Sequence, residues 1–193
     1  EDKVDIFHGL AGEIPFGLTQ KKIPTIVTVH DLIYLSHPHY YHFIDRIIYT
    51  KKIRHAVQRA DRIIAISEHT KLELIKYLDV APDKVSVVLQ GCNEAFKKSY
   101  ELEEKEIIKR KYDLPEHFIL TVGTIQERKN ALAIIKAILG TDYHLVLIGN
   151  EKGYAKKIHK YIAENKLQGQ VIFLKNIDVF DLAIIYQLST LFC

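Results

Sequence analysis

Residues 118–149 read FILTVGTIQERKNALAIIKAILGTDYHLVLIG, and their pattern decides the fold. An apolar run, FILTV, stops at Gly123. After a polar stretch, ALAIIKAIL spaces its apolar side chains as one face of a helix. HLVLI then repeats the apolar run and stops at a second glycine, Gly149. Continuous apolar strands separated by amphipathic helices belong to parallel sheets covered on both faces. The stretch is therefore a strand–helix–strand unit of an α/β protein.

The same alternation extends in both directions. Upstream, VDIFHGL (4–10) and TIVTVHDL (25–32) read as strands. A helix is expected over about 41–59, with Phe43, Ile44, Ile47, Ile48 and Val57 on its apolar side. RIIAIS (62–67) leads into the helix EHTKLELIKYL, whose first free amides the Ser67 hydroxyl can cap. KVSVVLQG (84–91) closes this first series. Residues 96–116 are charged and show no strand signal before Phe118, so they read as an interdomain crossing with one exposed helix near 101–111. Beyond Gly149, YAKKIHKYIAENK, VIFLK and DVFDLAIIYQL give helix, strand and helix, and LSTLFC reads as part of a buried strand. Two tandem α/β units result, 1–95 and 117–193.

Composition fits that frame. The chain has 193 residues, 48% hydrophobic and 26% charged, enough to bury a substantial core. No apolar run approaches the roughly 20 residues of a membrane span, and the first residues lack the pattern of a secretion signal. Two distant cysteines, Cys92 and Cys193, suggest neither a disulfide framework nor a zinc site, and fit a reducing, cytoplasmic setting. A net charge of +3 without an aromatic-interleaved basic stripe gives no support for nucleic-acid binding. The absence of methionine, together with the stop at LSTLFC, reads as a segment of a longer protein.

In open parallel sheets ligands collect where strands end and helices begin. Gly123 and Gly149 end strands, where a missing Cβ allows close approach to the backbone. Arg128 and Lys129 sit where a helix is expected to begin at Asn130, at the end whose partial charge is already positive. That arrangement suits an anion of more than one charge, such as a diphosphate, held by both cations and the free amides. The alternative is that both side chains face water. Neither a dinucleotide fingerprint nor a P-loop is present.

VGTIQERKN resembles the VGT-x-x-x-RKN segment of glycosyltransferase family 4, and the likeness continues in order through the chain. FHGLAGEIPFGL, VTVHDLIYL, ADRIIAISEHTKLELI and KVSVVLQGCNEAF resemble that family's acceptor-domain strands and the crossing out of them. HLVLIGNEKG and VIFLKNIDVFDLAIIYQLSTLF resemble its donor-domain strands. The resemblance implies a GT-B fold: two Rossmann-like domains facing across a cleft, the first binding the acceptor and the second a nucleotide sugar. It implies a retaining hexosyl transfer from a nucleoside-diphosphate sugar to a glycan or lipid-linked hydroxyl, with no metal cofactor. Lys129 would contact the diphosphate with Arg128 beside it. Thr124 stands where many relatives place an arginine. Asn130 would line the donor site, and backbone groups around Asn176 and Ile177 would meet the base. The family's pair of glutamates separated by seven residues would follow Cys193. Alternatives are a nucleotide-sugar epimerase of the same fold and a non-catalytic glycan- or lipid-binding module.

On the acceptor side, His30 ends the VTVH strand and is a candidate to orient the acceptor or touch the transferring sugar. Asp31 beside it either joins that site or anchors the loop through hydrogen bonds. His8 occupies a similar strand end. His37, His39 and His42 in HPHYYH invite a metal reading, but a chance cluster in a proline-containing loop explains them better. From Arg46 to Arg62 six cations occur with no acid between Asp45 and Asp61, a face suited either to solvent or to an anionic membrane presenting a lipid-linked acceptor.

Overall fold

The structure is a computed structural model and describes residues 4–15 and 23–193. The chain divides into two compact units, Glu1–Gly91 and Cys92–Cys193.

In the first unit, β1 (Phe7–Gly9), β2 (Thr25–Val29), β3 (Arg62–Ala65) and β4 (Val85–Val87) form a parallel sheet in sequence order. The first and last strands are shorter than their apolar patterns suggest. Val4 and Ile6 are exposed before β1, as are Val88 and Leu89 after β4. Val27 and Val29 of β2 and Ile63 and Ala65 of β3 lie in the core with Leu32 and Leu74. Three helices follow the strands: α1 (Ile33–Ser36), α2 (Phe43–Arg59) and α3 (Glu68–Leu78). Ser67 caps α3 as the sequence indicates, accepting from the Thr70 amide at 3.1 Å. Thr70 in turn donates its hydroxyl to the His30 carbonyl at 3.1 Å, tying α3 to the end of β2.

The expected apolar side of α2 is corrected. Only Ile53, Ala56 and Val57 enter the core from this helix. Phe43 and Ile44 are each 70% exposed, and Ile47 and Ile48 also face outward. The buried residues all lie in the second half of α2, whereas the exposed apolar ones lie in its first two turns.

In the second unit, β5 (Phe118–Val122), β6 (His144–Ile148), β7 (Val171–Leu174) and β8 (Leu191–Phe192) are also parallel, in the order β7-β6-β5-β8. Successive side chains of β6 enter different layers. Leu145 and Leu147 pack with Ile135, Ile158 and Ile162 beneath α5 (Ala131–Ala137) and α6 (Ala155–Glu164). Val146 and Ile148 pack with Ile108, Ile184 and Ile185 beneath α4 (Leu102–Lys111) and α7 (Val179–Leu188). A continuous apolar run is what a strand covered on both faces requires.

Two further expectations change. The segment read as a crossing, residues 96–116, packs as part of the second unit: Ile108 and Leu114 are buried, and Asp181 of α7 receives both the Lys111 ammonium and the Tyr112 hydroxyl at 2.5 Å. The strand read as buried, β8, is an edge strand whose Leu191 and Phe192 are half exposed.

Candidate functional site

The C-terminal ends of β5, β6 and β7 converge through backbone contacts. The Gly123 amide donates to the Ile148 carbonyl at 2.8 Å, and the Gly149 amide to the Leu174 carbonyl at 3.0 Å. A Cβ on Gly149 would stand 2.0 Å from the Gly123 carbonyl oxygen, and the residue has φ +155°. Gly149 is therefore required by a neighbouring strand end. That contact by itself requires a glycine here, apart from any ligand-facing role. Gly123 is different: at φ +137°, the nearest atom to its missing Cβ is Lys129 Cε, 3.9 Å away.

The cations do not open the helix. Glu127–Lys129 form a separate 3-10 turn that ends with Arg128 and Lys129. Asn130 then adopts left-handed backbone, φ 51°, and α5 begins at Ala131, one residue later than expected. The unfavourable placement against a helix dipole is thus relieved by an extra turn. With its amide oxygen turned towards the guanidinium, Gln126 accepts from Arg128 Nε and Nη2 at 3.0 Å each. Arg128 is half-buried and held in place, while Lys129 and Asn130 are exposed, and Thr124 is half-buried beside Gly123. The arrangement offers one braced guanidinium and one exposed ammonium whose stem lies over the bare end of β5.

Glu151, in the loop after β6, gathers two partners that the sequence did not single out. Its carboxylate meets the Lys175 ammonium and His159 Nε2, each at 2.8 Å. Lys175, followed by His159, holds the Glu151 carboxyl below the ordinary carboxylate range. Asn176, next in the chain, is exposed with φ 55°. Ile177 turns its side chain onto the core shared with α7, leaving its backbone for any outside contact. Asp178 caps α7, accepting from the Phe180 and Asp181 amides at 2.9 and 3.1 Å. In the sequence, only the position of Lys175 directly before Asn176 and Ile177 points to the Glu151 cluster.

In the first unit, His30 is engaged at both ring nitrogens. Nε2 donates to the Leu10 carbonyl at 2.9 Å, and Nδ1 lies 3.4 Å from the Gln90 amide nitrogen. These bonds place its proton on Nε2. Asp31 accepts from the Ile33 amide at 3.3 Å, so the anchoring bond is made. His8 Nε2 bonds Thr28 Oγ1 at 2.8 Å across β1 and β2. His30 and Asp31 line a cavity of about 200 Å³ with Glu13, Tyr34, Tyr49 and Lys52. Burial, then the Asp31 charge, pushes the Tyr34 phenol up, so Tyr34 stays a hydrogen-bond donor. His37 and His39 stand against the Tyr40 ring. Among the described residues no cluster of three His, Cys, Asp or Glu could hold a metal ion, and no helix is long and apolar enough to cross a membrane.

Residues 1–96 match the family described as Glycosyltransferase Family 4, and residues 103–193 match Glycosyl transferases group 1. The chain belongs to the family 4 glycosyltransferases. Between them the two matches omit only the segment before and into α4, and they follow the two α/β units. The chain is 30% identical over 98% of its length to the serotype-specific mannosyltransferase WbdA of Escherichia coli, of which it spans 25%. To the O-antigen chain mannosyltransferase RfbU of Salmonella typhimurium it is 26% identical over 83% of its length, spanning 42% of that protein. The fold is GT-B, matching the Anabaena protein HepE, solved in complex with UDP-glucose, at a TM-score of 0.71 and 16% identity over 89% of this chain and 46% of that one.

Proposed function

We propose that the protein to which this chain belongs is a retaining glycosyltransferase that moves a hexose, mannose on the strength of its relatives, from a nucleoside diphosphate to a hydroxyl of a glycan or lipid-linked sugar. The observation that carries this reading is Lys129 reaching back over Gly123, with Arg128 braced beside it by Gln126.

As the bond between sugar and diphosphate breaks, negative charge gathers on the leaving phosphates. Cations already fixed at that spot stabilise the charge more in the transition state than in the ground state, which accelerates transfer. Arg128 supplies a planar fork in a set orientation, and Lys129 an ammonium on a flexible stem. Gly123 keeps the strand end bare, so the diphosphate reaches the backbone. Side-chain cations meet the charge, and the reading calls for no metal. The loop carrying Asn176 and Ile177 receives the base through its backbone. On the acceptor side, His30 and the protonated Tyr34 are the groups that would orient the incoming hydroxyl.

The mannosyltransferase relatives favour transfer over epimerisation. The test is to incubate the full-length protein with nucleotide-linked mannose, with and without acceptor glycan. Acceptor-dependent release of nucleoside diphosphate supports the reading. Conversion of the sugar while it stays nucleotide-linked would overturn it.

A further inference from the structure

Three separate segments of the first unit hold His30. Its main-chain carbonyl accepts the Thr70 hydroxyl at 3.1 Å, and Thr70, only 4% exposed, is itself fixed to Ser67 Oγ at the start of α3. Its ring Nε2 lies 2.9 Å from the Leu10 carbonyl, which can only accept, so Nε2 carries the proton. A neutral imidazole then has a lone pair at Nδ1, and the Gln90 amide nitrogen faces it at 3.4 Å. The other tautomer would set two N–H donors against each other there and leave the Leu10 carbonyl without its donor. Gln90 and His30 are both exposed, and their contact is longer than the usual range of about 2.7–3.2 Å. It can orient the ring and still give way to a better donor.

We infer that Gln90 is a positioning residue: it holds His30 as a hydrogen-bond acceptor, with Nδ1 kept for a sugar hydroxyl of the acceptor, which takes the place of the Gln90 amide. The inference rests on the transferase reading and narrows what its acceptor side recognises. Tyr34 lines the same cavity as His30, and its phenol stays a donor. A sugar hydroxyl both donates and accepts, so a nitrogen that only accepts and a phenol that donates are matched to it. An ionised phosphate oxygen, which only accepts, would find no donor at Nδ1. If Gln90 merely filled space, any polar side chain of its length would serve equally well.

The test compares the full-length protein with Gln90→Ala and Gln90→Glu. Nitrogen NMR spectra of the imidazoles give the tautomer, the His30 signals being assigned by their loss in His30→Asn. The parent is expected to carry its proton on Nε2 and none on Nδ1. Gln90→Glu has the same length but accepts where Gln90 donates, so it should place a proton on Nδ1. Steady-state kinetics with an acceptor glycan form the second readout. Gln90→Ala should raise the acceptor KM about fivefold, with the donor KM and the Tm unchanged. Gln90→Glu should be worse than Gln90→Ala, because its proton occupies the lone pair. A parent protonated on Nδ1 would overturn the inference, as would a Gln90→Glu protein with the parent's tautomer or the parent's acceptor KM. Absent turnover in the parent would overturn the transferase reading and the inference with it, whereas a wrong tautomer overturns the inference alone.

Discussion

Gly149 stands so close to Gly123 that a side chain on it would meet the Gly123 carbonyl oxygen at 2.0 Å. Replacing Gly149 with alanine must push the ends of β5 and β6 apart, in a backbone conformation that L-residues rarely adopt. A loss of about 3 kcal/mol or more is expected. Chemical denaturation of the purified variant checks this. A Gly149→Ala protein as stable as the parent would mean that the two strand ends are not held together in this way.

Gly123 tells the opposite story, because the nearest atom to its missing side chain belongs to Lys129. In the full-length protein, Lys129→Ala should lower transfer about 10²- to 10³-fold, the usual cost of removing one preorganised electrostatic group. Lys129 is exposed, so the Tm should not move. Gln126→Ala should produce a smaller loss by releasing Arg128, and Arg128→Lys should not restore the full rate, since an ammonium lacks the planar fork. Steady-state kinetics and a thermal melt on each variant separate these outcomes.

Asp181 joins α7 to α4. Burial alone would push its carboxyl up, but Lys111 and Tyr112 outweigh that and hold it below its ordinary value. A depressed carboxyl contributes stability that is complete above its unfolded pKa, about 3.9, and is lost as pH falls through the lower folded value. Asp181→Asn should therefore cost about 1–2 kcal/mol at neutral pH and flatten the acid side of the stability curve. Urea melts at several pH values measure both effects. An unchanged acid limb would show that the pairing with Lys111 contributes nothing.

Glu151 fastens the loop after β6 to Lys175, directly before Asn176. If the loop around Asn176 meets the base, Glu151→Gln should raise the donor KM severalfold while leaving kcat close to its original value, because the residue positions a binding loop without touching the reacting bond. A parallel fall in kcat with KM unchanged would place Glu151 elsewhere in the reaction.

Much of this was legible in the linear order of residues. The alternation of apolar runs and amphipathic helices is local, set by side-chain periods of two and 3.6, and it yields the two parallel sheets directly. The Ser67 cap and α6 are equally local, and so is the cation pair at 128 and 129. Other features depend on contacts distant in the chain. That Gly149 is also demanded by packing shows only when Gly123 is set against it. The helix at 102–111 looks like an exposed linker until Asp181, some seventy residues on, takes up Lys111 and Tyr112. The apolar residues in the first turns of α2 look like core because hydrophobicity is a property of a residue, whereas burial depends on what packs against it, and only the second half of the helix is covered. Arg128 and Lys129 were found as charges in the sequence. That one is braced by Gln126 and the other lies over Gly123 depends on a tight turn and a left-handed asparagine, and only the folded backbone fixes those.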